Sequence, residues 1–121
     1  MTREARMTKR DEFLAQLLAK AGTPKNLAKA LVFIAKREET TSVEIEKATG
    51  LRQPEVSIAM QELRQRRWVD KKDIKKEGKG RPVHSYKLSV PLSNIVGTIC
   101  DAEQGRIKEI EEDLKKLRRL A

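Results

Sequence analysis

The residues with the clearest capacity for binding chemistry form a basic, glycine-interrupted stretch, KKEGKGRPVHSYKL, at residues 75–88. Between residues 52 and 87 the chain has 11 Lys and Arg against 5 Asp and Glu, a net +6 out of a total of +9. Positive charge concentrated in one segment attracts polyanions, nucleic acid before an acidic membrane surface, although a basic surplus can also serve solubility alone. The sequence therefore favours a nucleic-acid partner for this segment.

The glycine-broken part of this stretch reads KGRP at residues 79–82. It resembles the core of AT-hook peptides, in which a Gly-Arg-Pro unit lays an extended arginine into a narrow A·T minor groove. Narrow minor grooves have an enhanced negative potential, and the proline favours an extended arm. Lys79 and Arg81 are therefore candidate DNA contacts, whereas His84 and Tyr86 are expected to pack on a strand face.

Enzymatic and metal chemistry find no support in the sequence. The chain has one histidine, His84, and one cysteine, Cys100, which cannot form an ordinary zinc site or an intrachain disulfide. The spacing of Gly78 and Gly80 does not precede a predicted helix, so it does not indicate a phosphate-binding loop. We therefore expect no enzyme, no metal and no cofactor. Cys100 lies in an apolar helical pattern, NIVGTICDA, and is expected to be a small buried side chain.

Segments for secretion or membrane insertion are also not expected. The first residues, MTREARMTKRDEF, are charged and contain no apolar signal-peptide core. No run approaches the roughly 18 apolar residues that a transmembrane helix requires. The sequence predicts a cytoplasmic protein without a membrane partner.

Capping signals divide the chain into helices and a hairpin. Two capping boxes are indicated, one by Thr8 with Asp11 and one by Thr41 with Glu44. Pro24 and Pro54 stand at positions suited to the first turn of a helix. The predicted helices cover about 8–21, 23–37, 42–49, 54–66 and 92–120. The second is expected to begin with Thr23 as its cap. A very short strand is expected within 38–41, and strands over 68–74 and 83–88 form a β-hairpin.

The order of these elements is that of a winged helix–turn–helix, a mainly α fold with a small β-hairpin. Gly50 occupies the predicted turn, where a left-handed residue lets the second helix cross the first. The short helix before it carries Val43, Ile45 and Ala48 as its apolar residues. The helix after it presents polar residues away from an apolar stripe, as a helix lying in a major groove would.

A family resemblance rests on these same residues. The stretch IEKATGLRQPEVSIAMQELRQRRWVDKK, followed by GKGRPVHSYKLS, resembles archaeal and bacterial winged-helix transcriptional regulators of the MarR/ArsR/TrmB-like superfamily over about residues 25–90. The resemblance implies a dimeric DNA-binding regulator, with the helix at 54–66 as recognition helix and the hairpin as wing. Ile58 and Glu62 depart from the family pattern, because such families often place basic residues there.

Roles follow from helical position and side-chain chemistry. Glutamine pairs bidentately with adenine, an apolar side chain contacts the thymine methyl group, and arginines bind phosphates. A solvated helix face is the alternative reading of each position. The candidate double-stranded DNA contacts are Arg52, Gln53, Ser57, Ile58, Gln61, Arg64, Lys79 and Arg81.

The ends of the chain are predicted to form the dimer contact. From Ile107 onward the apolar spacing is 3-4-3-4, an a/d heptad seam. Two heptads are too few for an autonomous coiled coil, so a packed helix pair, within or between chains, is expected. The predicted dimerisation residues are Leu14, Leu17, Ile99, Ile107, Ile110, Leu114 and Leu117.

These expectations divide the chain into an N-terminal helix at 1–22, a DNA-binding domain at 23–90 and a C-terminal dimerisation helix at 91–121. The function they favour is a homodimeric, sequence-specific transcriptional regulator. Two alternatives stay open. One is a protein-interaction adaptor of the transcription machinery, and the other is a weakly specific, chromatin-type DNA-binding protein. The sequence leaves a small-molecule effector undetermined.

Overall fold

The computed structural model describes residues 6–74 and 83–121. It divides into two compact units, Met1–Pro91 and Leu92–Ala121. The helices are α1 (Lys9–Lys20), α2 (Lys25–Ala35), α3 (Ser42–Thr49), α4 (Gln53–Gln65) and α5 (Leu92–Leu120), and the strands are β1 (Thr40–Thr41), β2 (Val69–Ile74) and β3 (Val83–Leu88). The predicted fold class, mainly α with a small antiparallel sheet, is confirmed.

Local capping chemistry sets the bounds of α1. The Thr8 hydroxyl accepts the Asp11 N–H at 3.1 Å, and the Asp11 carboxylate accepts the Thr8 N–H at 2.8 Å. At the other end Gly22 has φ +104°, while the Thr23 N–H donates to the Leu18 carbonyl at 3.0 Å. This is a Schellman ending, which favours glycine at its left-handed position.

The start of α2 differs by one residue from the prediction. Thr23 does not cap this helix, because its N–H closes α1 and its own backbone stays outside α2. The cap is Pro24, whose carbonyl accepts the Ala28 N–H at 2.9 Å and which provides no side-chain hydrogen bond. Most of α2 is buried, and its Leu31, Phe33 and Ile34 are among the largest fully buried side chains of the unit. This helix is therefore the centre of the core.

The helix–turn–helix consists of α3 and α4. Thr41 caps α3, with its hydroxyl accepting the Glu44 N–H at 3.2 Å and its N–H donating to the Glu44 carboxylate at 3.0 Å. Gly50 follows α3 with φ +77°, so the turn uses glycine as expected. Ile45 is fully buried, whereas Val43 is 52% exposed, since the two residues lie on opposite sides of the helix.

Three strands form one antiparallel sheet in the order β1-β3-β2. In the hairpin Val69 pairs with Leu88, and Asp73 pairs with His84. The expected very short strand is present as β1, in which Thr40 pairs with Tyr86. Because β1 directly precedes α3, the sheet joins the helix–turn–helix to the hairpin.

The second unit is the single helix α5. Ile95 and Ile99 are buried, and the apolar positions nearer its end are exposed. The expectation that Cys100 is buried is wrong, because this residue is exposed. It lies about 100° around the helix from Ile99, away from the buried side. None of the helices in the described ranges is long and apolar enough to cross a membrane.

Candidate nucleic-acid interface

The outward side of α4 is the candidate reading surface. Its buried stripe consists of Val56, Ala59, Met60 and Leu63. At about 100° per residue, the positions of Gln53, Ser57, Gln61 and Arg64 fall within an arc of about 80° on one flank outside that stripe. All four are exposed. The structure thus brings together four of the predicted DNA contacts.

Two carboxylates lie on the other flank of α4, and both are engaged within the protein. Glu55 accepts the N–H of Arg52 at 2.9 Å, which closes the start of α4. Glu62 forms an ion pair with Arg66 at 2.7 Å. The guanidinium of Arg66 also lies over the Trp68 ring, 5.1 Å from its centre. Arg66 therefore acts as an internal counterion, which reduces the repulsion that Glu62 would exert on phosphates.

Ile58 lies on the other flank of α4. It is 66% exposed and lines a shallow cleft with Pro24, Leu27, Glu55 and, further along α4, Glu62. Its neighbours are therefore acidic residues and the start of α2. A contact with a thymine methyl group stays a prediction.

The end of α4 contains a feature that sequence reasoning missed. Arg67 is exposed and has φ +64°, the left-handed conformation that glycine normally adopts at this point. The Trp68 N–H donates to the Leu63 carbonyl at 3.1 Å, and the Arg67 N–H donates to the Arg64 carbonyl at 2.9 Å. These are Schellman bonds formed without glycine, so no residue type at this position indicated them.

The hairpin lies beside the Arg64 flank of α4. Burial raises the pKa of Tyr86, the charge of Arg64 opposes this, and Asp73 adds to it. Asp73 lies 2.7 Å from His84 across the strands, so the described part of the hairpin is held by a cross-strand polar pair.

Two predicted DNA contacts, Lys79 and Arg81, lie outside the described residues, and their roles stay predictions. Among the described residues, no group of three or more His, Cys, Asp and Glu side chains is placed to hold a metal ion.

The predicted dimerisation residues fall into two groups. Leu17 on α1 is exposed and Leu14 is half-buried, while Ile99 is buried. The exposed heptad positions of α5 are Ile107, Ile110, Leu114 and Leu117, each 48% to 64% exposed.

Comparison with known proteins places this architecture in a class. Residues 28–80 match the model of the MarR family. The fold is similar to that of TrmBL2, an archaeal chromatin protein, with a TM-score of 0.62 and 19% identity over 90% of this chain and 39% of TrmBL2. It is also similar to NadR in complex with 4-hydroxyphenylacetate (TM-score 0.54, 15% identity, 93% of this chain and 78% of NadR). A mutant of MepR from S. aureus gives a TM-score of 0.51 at 17% identity, over 90% of this chain and 76% of MepR. No curated protein sequence matches the chain.

The fold is that of a winged helix–turn–helix, and the match of residues 28–80 to the MarR family agrees with the resemblance predicted from the sequence. The family matched over residues 28–80 consists of DNA-binding transcription regulators and not of enzymes. The chain spans well under half the length of TrmBL2.

Proposed function

We propose that this protein is a sequence-specific regulator that binds double-stranded DNA as a homodimer, with α4 in the major groove and the hairpin at the minor groove. The observation that carries the proposal is the flank of α4 formed by Gln53, Ser57 and Gln61. These side chains are exposed and make no hydrogen bond to another described residue. Their donors and acceptors are therefore available to base edges.

The chemistry of this flank suits direct readout with few charges. Glutamine can donate to and accept from adenine in the major groove, and a good bidentate pair discriminates by about 1–3 kcal/mol. Arg52 and Arg64 lie at the two ends of α4, where phosphate contacts would fix its register. Lys79 and Arg81 complete the proposal as minor-groove contacts of the wing.

The exposed heptad positions of α5 support the homodimer. Four large apolar side chains at a/d spacing are about half or more exposed, from Ile107 to Leu117. Fully burying such a side chain contributes about 1.5–3 kcal/mol, so a second copy gains by covering them. Phe13 and Leu17, four residues apart on α1, are exposed as well. A dimer of this kind would present two recognition helices to half-sites about 34 Å apart.

The test is an in vitro selection of bound DNA fragments, followed by affinity measurements on the best site and on random DNA. A palindromic motif with two half-sites is the expected result. Gln61→Ala should relax the preference at one base position, with affinity falling roughly 5- to 100-fold. Gln104→Ala, an exposed glutamine on α5, is the matched control and should leave affinity and preference unchanged.

One observation favours a second candidate function. No basic residue lies between Arg52 and Arg64, so arginine readout of guanine by the middle of α4 is absent. A weakly specific chromatin-type protein would bind in this way, through phosphates and DNA shape. That alternative is excluded if the affinity for the best selected site exceeds the affinity for random DNA by more than about 10³-fold at physiological salt. If no DNA binds even at low salt, the regulator is excluded and an adaptor role takes its place.

A further inference from the structure

A line of lysines continues the candidate DNA surface on the side of α4 away from the hairpin. Lys20, Lys25 and Lys29 line one groove between α1 and α2. Lys29 also lines a second groove, which it shares with Lys47 and Gly50 of the helix–turn–helix. We call these four residues, Lys20, Lys25, Lys29 and Lys47, the lysine strip.

The strip reaches α4 at two points. Gly50, beside Lys47, is two residues before Arg52, which caps α4. Pro24, beside Lys25, lines a cleft with Ile58 and Glu62 of α4. The hairpin begins at the other end of α4, because β2 starts at Val69, shortly after α4 ends at Gln65. The strip and the hairpin therefore border the reading surface from two sides.

The charges of the strip are not neutralised within the described part of the chain. None of the four lysine ammonium groups forms an ion pair or hydrogen bond there. Glu12 is the one carboxylate that lines the two grooves, against four ammonium groups. The net charge of the strip and its lining is thus strongly positive.

Two of these lysines occupy positions that cost helix stability. Lys25 is the first residue of α2, whose first turn contains no acidic residue. A positive charge there opposes the helix dipole. Lys25 and Lys29 are four residues apart, and a like-charge pair at this spacing destabilises a helix. Binding of an anion would relieve both costs.

From these observations we propose that the lysine strip binds DNA phosphates on the side of the reading helix opposite the wing. The inference rests on the proposed DNA-binding function and extends its contact surface to α1, α2 and α3. Phosphates are favoured over a small organic anion because the strip runs along two connected grooves and ends at the cap of α4. Extended rows of separate charges match a polymer backbone better than one carboxylate.

The experiment compares two triple variants of the full chain. The first changes Lys25, Lys29 and Lys47 to Ala, and the matched control changes Lys108, Lys115 and Lys116 of α5 to Ala. The control removes the same charge from three exposed lysines of the other unit. Affinity for a selected duplex, or for random duplex DNA if selection gives no motif, is measured by fluorescence anisotropy at several salt concentrations.

Log affinity falls with log salt, and each phosphate contact adds about 0.9 to the steepness of that fall. Because the strip variant removes three lysines, its slope should be less steep by up to about 2.7. The control should keep the slope of the natural protein. Thermal unfolding should show that the strip variant is at least as stable, because the change removes a repulsive pair.

Equal slopes in both variants would overturn the strip while leaving the regulator intact. If inorganic phosphate or citrate stabilises the natural protein but not the strip variant, and the DNA slopes are equal, the strip belongs to a small anion and the proposal is wrong. Failure of the natural protein to bind any duplex would remove the regulator and the strip together, a result distinct from the other two.

Discussion

Arg67 offers a quantitative test of the backbone at the end of α4. Its φ is +64°, and a residue with a Cβ atom adopts this backbone conformation at a cost of about 1–2 kcal/mol. Arg67→Gly removes this cost but gives the unfolded chain more freedom, which takes back about 0.5–1 kcal/mol. The net gain in the free energy of unfolding should be about 0.5–1 kcal/mol. The melting temperature should then rise by about 2–6 °C for a chain of this size.

The matched control is Arg67→Ala, which removes the same guanidinium but keeps the Cβ atom. The Ala variant should be no more stable than the natural protein, because its strain is unchanged. Both variants should bind DNA equally, since they lose the same charge. Thermal and urea unfolding of the three proteins, followed by circular dichroism, measure the difference. If the Gly variant is not more stable than the Ala variant, the argument from left-handed strain is refuted.

Four other perturbations test contacts described above. Arg66→Ala should lower DNA affinity about 5-fold by unmasking Glu62, and adding Glu62→Gln should restore it in the same anisotropy assay; no restoration would mean that Arg66 itself contacts DNA. Glu44→Gln should destabilise the protein by only about 1 kcal/mol at neutral pH, because water screens the charge of this partly exposed carboxylate, and urea titrations repeated across pH measure the loss. Burial alone would raise the pKa of Glu44, but hydrogen bonds from Thr41 and Thr40 and the charge of Arg37 lower it overall, so this stabilisation should be present above the ordinary pKa of about 4.3 and vanish as pH falls through the lower folded value. Ser85→Ala should leave stability unchanged or raise it by up to about 1 kcal/mol, because the buried hydroxyl has no hydrogen-bond partner among the described residues, and a loss in urea unfolding would reveal a missed partner. Leu114→Glu should give a monomer by light scattering with an unchanged helical spectrum, and a persistent dimer would exclude the α5 seam as its interface.

Helix ends were the most predictable part of the fold, because capping depends on residues only a few positions apart. Thr8 with Asp11 and Thr41 with Glu44 form the capping boxes that their spacing indicates. Gly50 takes the left-handed conformation that the turn requires. Each of these interactions is complete within one or two turns of chain, so the sequence contains all of its partners.

Burial was less predictable, because it depends on which other element covers a residue. Val43 and Cys100 are apolar neighbours of buried isoleucines, yet both are exposed. Apolar residues on a helix can point to more than one side, and tertiary packing decides which side is buried. The lysine strip was missed for a related reason. Lys25 and Lys47 are far apart in sequence, and only the packing of α1, α2 and α3 brings their grooves together.

Strand β1 contains only two residues, yet it fixes how the protein can respond to the shape of its target. Thr41 pairs with Ser85 of the hairpin and, at the same time, caps α3. Moving the hairpin relative to the helix–turn–helix would therefore break strand pairing and a helix cap together. The hairpin and the helix–turn–helix are therefore held at a fixed separation. In the proposed binding mode, a duplex whose groove spacing differs from this separation would have to bend or change groove width, and the energy of that deformation would be a source of sequence preference at base pairs that no side chain touches.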